Sequence, residues 1–246
     1  WLHGLTNNPL HGLVSRELGL SLLPTSDESR VIIGPNGQPW GNGRLEQAEA
    51  WLATFVEHAE QSGEADQGLS TLLPSRLTPD QRFLLLADVV HELGADLDRI
   101  AANAPLGDGQ ELIGGDAMVP AGLDRLVNHL ARGIDIRLGQ VVREIQNTPK
   151  GVRVLTATGE VLESQLVCCT VPLGVLKRGA IRFDPPLPAA KTEAIRRLGM
   201  GVLDKIVLLF PRRFWDASSW IGNDSPQPGL WPEWVDLTPL IGRPAL

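Results

Sequence analysis

The sequence predicts a mixed α/β (α+β) fold, and three stretches carry that prediction. Residues 44–61 place Leu45, Ala48, Trp51, Leu52, Phe55, Val56 and Ala59 at helical spacing, with Glu46, Glu49, Glu57 and Glu60 off that face. Residues 141–169 read as three strands separated by Thr148-Pro149-Lys150-Gly151 and Thr158-Gly159, the pattern of a meander. Within the last of these, Leu166-Val167-Cys168-Cys169 is a continuous apolar run with a β-branched tail at Thr170 and Val171. That composition fits a strand buried on both faces. Pro172 ends it by removing a ladder donor, and Gly174 permits a sharp turn.

The other elements follow in order. Gly4 and Asn7-Asn8-Pro9 form a turn that carries His3. Apolar positions 13, 14, 18 and 20 predict a short helix within residues 12–23 that ends at Gly19. Residues 30–40 read as a hairpin around Pro35-Asn36-Gly37. A second long helix starts at Thr78 as N-cap, with Pro79 in its first turn and Asp80 at the positive end of its dipole, and stops at Gly94. Residues 95–113 are loop-rich. Their acidic residues Asp96, Asp98, Asp108 and Glu111 lack calcium-loop spacing. Residues 122–132 predict a helix with a stripe of Leu123, Leu126, Val127 and Leu130, ended by Gly133. Ile134-Asp135-Ile136-Arg137-Leu138 alternates like a strand. Phe183-Asp184-Pro185-Pro186-Leu187-Pro188 reads as a rigid linker into a helix at 189–197. Residues 202–210 form an apolar strand interrupted by Asp204 and Lys205.

Composition narrows the function. Hydrophobic residues make up 43% and charged residues 21%, so the chain is globular rather than disordered. A net charge of −7 argues against a nucleic-acid partner, which leaves a basic footprint. Cys168 and Cys169 are the two cysteines; they offer neither a disulfide framework nor zinc spacing and read as small apolar residues in the buried strand. A cytoplasmic setting is the expectation. No apolar stretch reaches the roughly 20 residues of a membrane span.

Lys205 stands out because burying an ammonium in an apolar strand is costly. Read alone, it is either a surface lysine with a snorkelling stem or a buried functional one. Trp215, Trp220, Trp231 and Trp234 gather near the carboxyl end. They are either core aromatics or the wall of an amine pocket built on cation–π contacts.

Longer motifs carry more information. PLGVLK (172–177), F-x-PPLP-x-x-K (183–191), the G-x-G-x-x-x-K segment (199–205) and FP-x-x-FW (210–215) occur in a fixed order and spacing. Together with WLHG…NPL at 1–10 and PEWVDL at 232–237, they make the chain resemble the flavin-containing amine oxidases, which include polyamine oxidases, monoamine oxidases and flavin-dependent histone demethylases. The resemblance implies FAD as cofactor. It implies a partial FAD-binding domain beside a mixed-sheet and helix substrate domain. The expected division is 1–30 flanking the flavin, 31–113 and 178–246 on the substrate side, and 114–177 in the FAD domain. It implies oxidation of a small amine by dioxygen, with peroxide as the second product.

The resemblance also places residues. Trp1 and Leu2 lie on the segment set against the flavin ring, and His3 on the same segment orients the substrate amine. Lys205 matches the lysine that holds a water at the reactive edge of the ring. Val142 meets the adenine end through its backbone, and Thr170 and Pro172 match further flavin contacts. Some positions depart from the pattern: Met200 stands where Phe is usual, and Asp204 where Asn or Thr is common. The long helical insertion of the histone demethylases is absent, so a histone substrate is not expected.

The dinucleotide fingerprint G-x-G-x-x-G is absent as well. Gly41-Asn42-Gly43 lacks its third glycine, and Gly107-Asp108-Gly109 fails similarly. The first residue is Trp1 and the last Leu246, and the expectation is a central piece of a longer enzyme. Two alternatives remain open at this point. One is another flavin oxidoreductase, of desaturase or porphyrinogen oxidase type, against which the PLGVLK and PPLP-x-x-K spacing argues. The other is a truncated homologue serving as an interaction module.

Overall fold

The computed structural model describes residues 1–25, 30–104, 112–216 and 218–246. Gly107-Asp108-Gly109 and the acidic Asp108 and Glu111 lie outside the described residues. Along the chain run β1 (Leu2–His3), α1 (Pro9–Gly12), β2 (Leu23–Thr25), β3 (Val31–Ile33), α2 (Arg44–Ser62), α3 (Pro79–Leu84), β4 (Asp116–Met118) and α4 (Asp124–Leu130). Then come β5 (Val142–Thr148), β6 (Gly151–Thr156), β7 (Val161–Ser164), α5 (Leu173–Lys177), β8 (Arg182–Asp184), α6 (Ala189–Arg197), β9 (Trp220–Asn223), β10 (Glu233–Val235) and α7 (Thr238–Ile241). Helices and sheets are mixed, as the sequence predicts. Two compact units result: residues 1–130 with 201–246, and residues 131–200.

The first unit holds two small sheets. In one, β4 lies between β1 and β2, antiparallel to both. In the other, β9 lies between β10 and β3, antiparallel to the first and parallel to the second. Helix α2 packs its predicted face inward: Ala48, Phe55 and Ala59 are buried. Phe55 and Ala59 join Leu69, Leu85, Val89 and Ile100 in one cluster, while Ala48 joins Ile32, Phe83, Leu84 and Ala87 in another. Fully burying a side chain such as Phe55 contributes about 1.5–3 kcal/mol. Helix α3 opens with the expected cap. The Thr78 hydroxyl accepts from Gln81 N–H, and the Gln81 side chain returns the bond to Thr78 N–H. That capping box satisfies two of the first-turn donors. The helix continues with wider π-type turns over Leu85–His91 and breaks at Gly94, whose φ is +59°.

The second unit is a four-stranded sheet in the order β7-β6-β5-β8. The turn before Gly151 joins β5 to β6 antiparallel, and β7 extends the meander. Residues 182–184 correct the expected linker: they pair as β8, parallel to β5. The helix predicted at 189–197 is α6.

Four expectations fail for a common reason. Residues 166–171 form no strand; the third strand of the meander stops at Ser164, and Leu166 is 84% exposed. Cys168 and Cys169 are exposed rather than buried. Residues 134–138 are irregular, and Leu138 is 87% exposed. Residues 202–207 are extended without a ladder; only the end of the run pairs, where Leu208 and Leu246 exchange backbone bonds and Phe210 N–H donates to Pro244 O. An apolar run becomes a buried strand only where neighbours supply ladder partners and cover its faces. Among the described residues none does so here. The stripe of α4 is likewise incomplete: Leu126 is buried, whereas Leu123, Val127 and Leu130 are exposed. In the hairpin expected at 30–40, β3 forms, and the return leg is a single bridge from Ile33 to Pro39.

Candidate active site

Strand β1 begins the site. Leu2 is buried with Val14 and Leu126, and this anchors the segment. Alternation then turns Trp1 and His3 to the other face. Trp1 Nε1–H donates to Thr25 Oγ1 on β2 at 3.2 Å. The Trp1 ring stacks on Trp220 of β9, with centroids 5.9 Å apart and planes at 26°. Lys205 Nζ lies 5.2 Å from the centroid of the Trp1 ring. An ammonium over an indole face is attracted by the ring quadrupole, by about 0.5–1 kcal/mol where exposed.

Glycines bring these segments together at two points. At Gly201, a Cβ would fall 2.6 Å from Leu93 O and 2.9 Å from Gly94 O, so only glycine lets the 201–205 segment pass the end of the α3 extension. Val202 N–H donates to Gly94 O there at 2.7 Å. At Gly4, φ is +64° and a Cβ would meet Leu112 Cβ at 2.3 Å. The chain therefore turns tightly just after His3. His3 Nδ1 lies 2.7 Å from Asp116 Oδ2, and Gly4 N–H donates to Asp116 Oδ1 at 3.2 Å.

Thus Trp1, Leu2, His3 and Lys205 belong to the first unit, and Lys205 meets Trp1 directly. Val142, Thr170 and Pro172 belong to the second unit. Val142 opens β5 beside a bulge and is half-buried. Thr170 and Pro172 are exposed on the extended approach to α5. Of the four carboxyl-end tryptophans, Trp220 joins the site. Trp215 instead packs edge-on with Phe210 and Phe214, and Trp231 lies 6.0 Å from Trp234.

Sequence reading missed Asp116 and the Trp1–Trp220 stack. Both depend on pairing between residues more than a hundred positions apart, for which no local pattern exists. It also missed two charged clusters in the first unit. Arg30 donates to both oxygens of Asp88 at 2.8 and 3.2 Å, and His91 Nδ1 lies 2.5 Å from Glu233 Oε2. Asp224, 8% exposed, accepts from Trp40 Nε1 at 3.2 Å with the Arg44 guanidinium 3.7 Å away. Burial nevertheless holds the Asp224 carboxyl above the ordinary range, against the pull of Trp40 and Arg44.

The family model for flavin containing amine oxidoreductases matches residues 40–239. The chain belongs to this family. A lysine-specific histone demethylase 1 homolog 1 of Oryza sativa subsp. japonica is 35% identical over 269 residues, covering 100% of this chain and 31% of the relative. Polyamine oxidase 2 of Arabidopsis thaliana is 32% identical over 249 residues, covering 90% of this chain and 50% of the relative. Protein FLOWERING LOCUS D of Arabidopsis thaliana is 47% identical over 233 residues, covering 88% and 29%. Among solved structures, a putrescine oxidase with putrescine bound matches with a TM-score of 0.65 at 18% identity, over 92% of this chain and 58% of that one. The amine oxidoreductase chain thus spans about a third to a half of the length of these curated relatives.

Membership implies FAD as cofactor. The residues of the first unit fit the flavin ring. Trp1 offers a planar face, Lys205 an exposed cation, and Trp220 Nε1–H is buried without a hydrogen-bond partner among the described residues. A ring system edged with carbonyl and nitrogen acceptors suits such a set. The pyrophosphate does not find its glycine turn in this sequence. Among the described residues no helix is long and apolar enough to cross a membrane.

Proposed function

We propose that this amine oxidoreductase chain supplies the ring-facing part of an active site that oxidises a small amine with FAD. The observation that carries the reading is the contact of Lys205 with Trp1: the two are far apart in sequence, and the family resemblance assigns each a place at the flavin ring. The chemistry that FAD would supply when bound is two-electron oxidation of the amine at its α-carbon, with dioxygen as final acceptor and hydrogen peroxide as product.

The remaining roles belong to side chains of this chain. Lys205 is exposed, so its three N–H donors can hold a water beside the Trp1 face. Such a water would serve imine hydrolysis or oxygen activation. His3 meets the substrate nitrogen and fixes which carbon faces the ring. Trp1 and Trp220 exclude water from one side and attract a cationic amine before it loses its proton. Val142 would meet the adenine end of the cofactor through its backbone, and Thr170 and Pro172 would make further flavin contacts. Residues 1–30 flank the flavin, 114–177 form its domain, and 31–113 with 178–246 form the substrate side.

A second reading is favoured by one observation: relatives named lysine-specific histone demethylase 1 homologs align with 87–100% of this chain. There the amine would be a methylated lysine side chain. Peroxide release from the FAD-loaded protein separates the two. Putrescine and spermidine as substrates support the first reading, and a dimethyl-lysine peptide alone supports the second. No peroxide with any amine would refute both.

A further inference from the structure

His3 and Asp116 are direct partners in the antiparallel β1–β4 pairing. Residues so placed carry their side chains on one face of the sheet. The pair is held from several sides. His3 Nδ1 lies 2.7 Å from Asp116 Oδ2, Asp116 Oδ1 accepts from Gly4 N–H at 3.2 Å, and the His3 carbonyl accepts from Asn8 Nδ2 at 2.7 Å. An ionised carboxylate only accepts. A neutral imidazole completes this bond only with its proton on Nδ1. Its Nε2 lone pair is then left free, on a side chain 63% exposed.

We infer that Asp116 is a positioning residue, holding His3 in the Nδ1–H tautomer so that Nε2 accepts a proton from the substrate ammonium. The inference rests on the reading that His3 meets the amine. An aliphatic ammonium such as that of lysine loses its proton only near pH 10.4. A charged amine has no lone pair to stabilise the carbon that gives up hydride. In the proposed step one N–H bond of the ammonium breaks, its electron pair stays on nitrogen, and the proton bonds to Nε2. The imidazolium formed sits against the Asp116 carboxylate, which offsets its charge. The proton later passes to water.

The arrangement makes the isosteric substitution informative. Asp116 offers two acceptor oxygens to two donors, Gly4 N–H and His3 Nδ1–H. Asp116→Asn keeps the shape and offers only one oxygen. With that oxygen on Gly4, the amide NH2 faces Nδ1 and drives the imidazole proton to Nε2, where it blocks the acceptor. Asp116→Ala releases the ring instead.

The test is long-range 15N–1H correlation NMR of the chain labelled at histidine nitrogen. His3 is assigned by the signals lost in His3→Gln. The wild-type protein should show the Nδ1–H tautomer at His3, and Asp116→Ala should lose it. A predominantly Nε2–H His3 in the wild type, or an Nδ1–H tautomer unchanged in Asp116→Ala, would overturn the inference. In the FAD-loaded protein, Asp116→Asn should lower kcat/KM for an amine about 10²-fold. Equal kcat/KM in wild type and Asp116→Asn would also overturn it. The tautomer is read without flavin or amine, so its failure is separate from that of the amine oxidase reading, which peroxide release decides.

Discussion

The ammonium of Lys205 stands 5.2 Å from the centroid of the Trp1 ring, and that ring is itself stacked on Trp220. On segment 202–209, apolar apart from Asp204 and Lys205, the cation thereby lies beside an aromatic platform while remaining exposed. Because Lys205 is exposed, its removal should spare the fold. Lys205→Met should change the unfolding free energy by less than about 0.5 kcal/mol. In the FAD-loaded protein it should slow amine turnover about 10²-fold, the scale on which a misplaced reacting group costs an enzyme. Urea unfolding and oxygen-electrode rates check the two halves separately.

The tight turn after His3 gives a second prediction. Gly4→Ala forces a methyl to within 2.3 Å of Leu112 Cβ and 2.7 Å of Leu112 backbone atoms, at a φ of +64°. The left-handed backbone costs about 1–2 kcal/mol for a residue with a Cβ, and relief of the clash about as much again. The variant should lose about 2–4 kcal/mol in urea unfolding. It should also weaken the His3–Asp116 bond, since Gly4 N–H shares that carboxylate.

Leucines at two positions should behave in opposite ways. Leu84 is fully buried beside Ile32 and Phe83, so Leu84→Ala leaves a cavity and should cost about 2–5 kcal/mol. Leu166 is 84% exposed, so Leu166→Ala should be neutral to within about 0.5 kcal/mol in this chain. It should also lessen self-association, because exposed apolar runs promote it. Denaturation midpoints and light scattering report these outcomes.

Asp224 gives the pH dependence. Burial raises its carboxyl pKa in the folded protein above the ordinary value of 3.8. As pH rises from acid, the unfolded chain ionises first, so this group's contribution to stability falls as pH passes from the unfolded to the folded pKa. Asp224→Asn avoids that loss, and its amide oxygen can still accept from Trp40 Nε1. The variant should match or exceed wild-type stability at pH 7, by up to about 1 kcal/mol, and the advantage should vanish below the unfolded pKa. Urea midpoints measured from pH 3 to pH 7 give the sign.

Legibility in the sequence followed locality. Helix α2 was readable because its apolar spacing is complete within one window, and α3 because Thr78, Pro79 and Gln81 cap it within four residues. The β5–β6–β7 meander was readable from its turns. Residues 134–138, 166–171 and 202–207 were not, because whether an apolar run is a strand depends on what lies beside it. The site divided in the same way. Trp1, His3 and Lys205 could be singled out through family motifs alone, and the Lys205 ammonium lies beside the Trp1 ring. Asp116 was not legible, because its part is set by the β1–β4 register rather than by any neighbour in sequence.

The central claim is that the Trp1–Lys205 cluster serves flavin-dependent oxidation of an amine. Anaerobic mixing of the FAD-loaded protein with putrescine, followed by flavin absorbance, tests it most directly. The account predicts bleaching of the oxidised flavin and, once air is admitted, recovery with release of hydrogen peroxide. An oxidised spectrum that persists with putrescine, with spermidine and with a dimethyl-lysine peptide would contradict it.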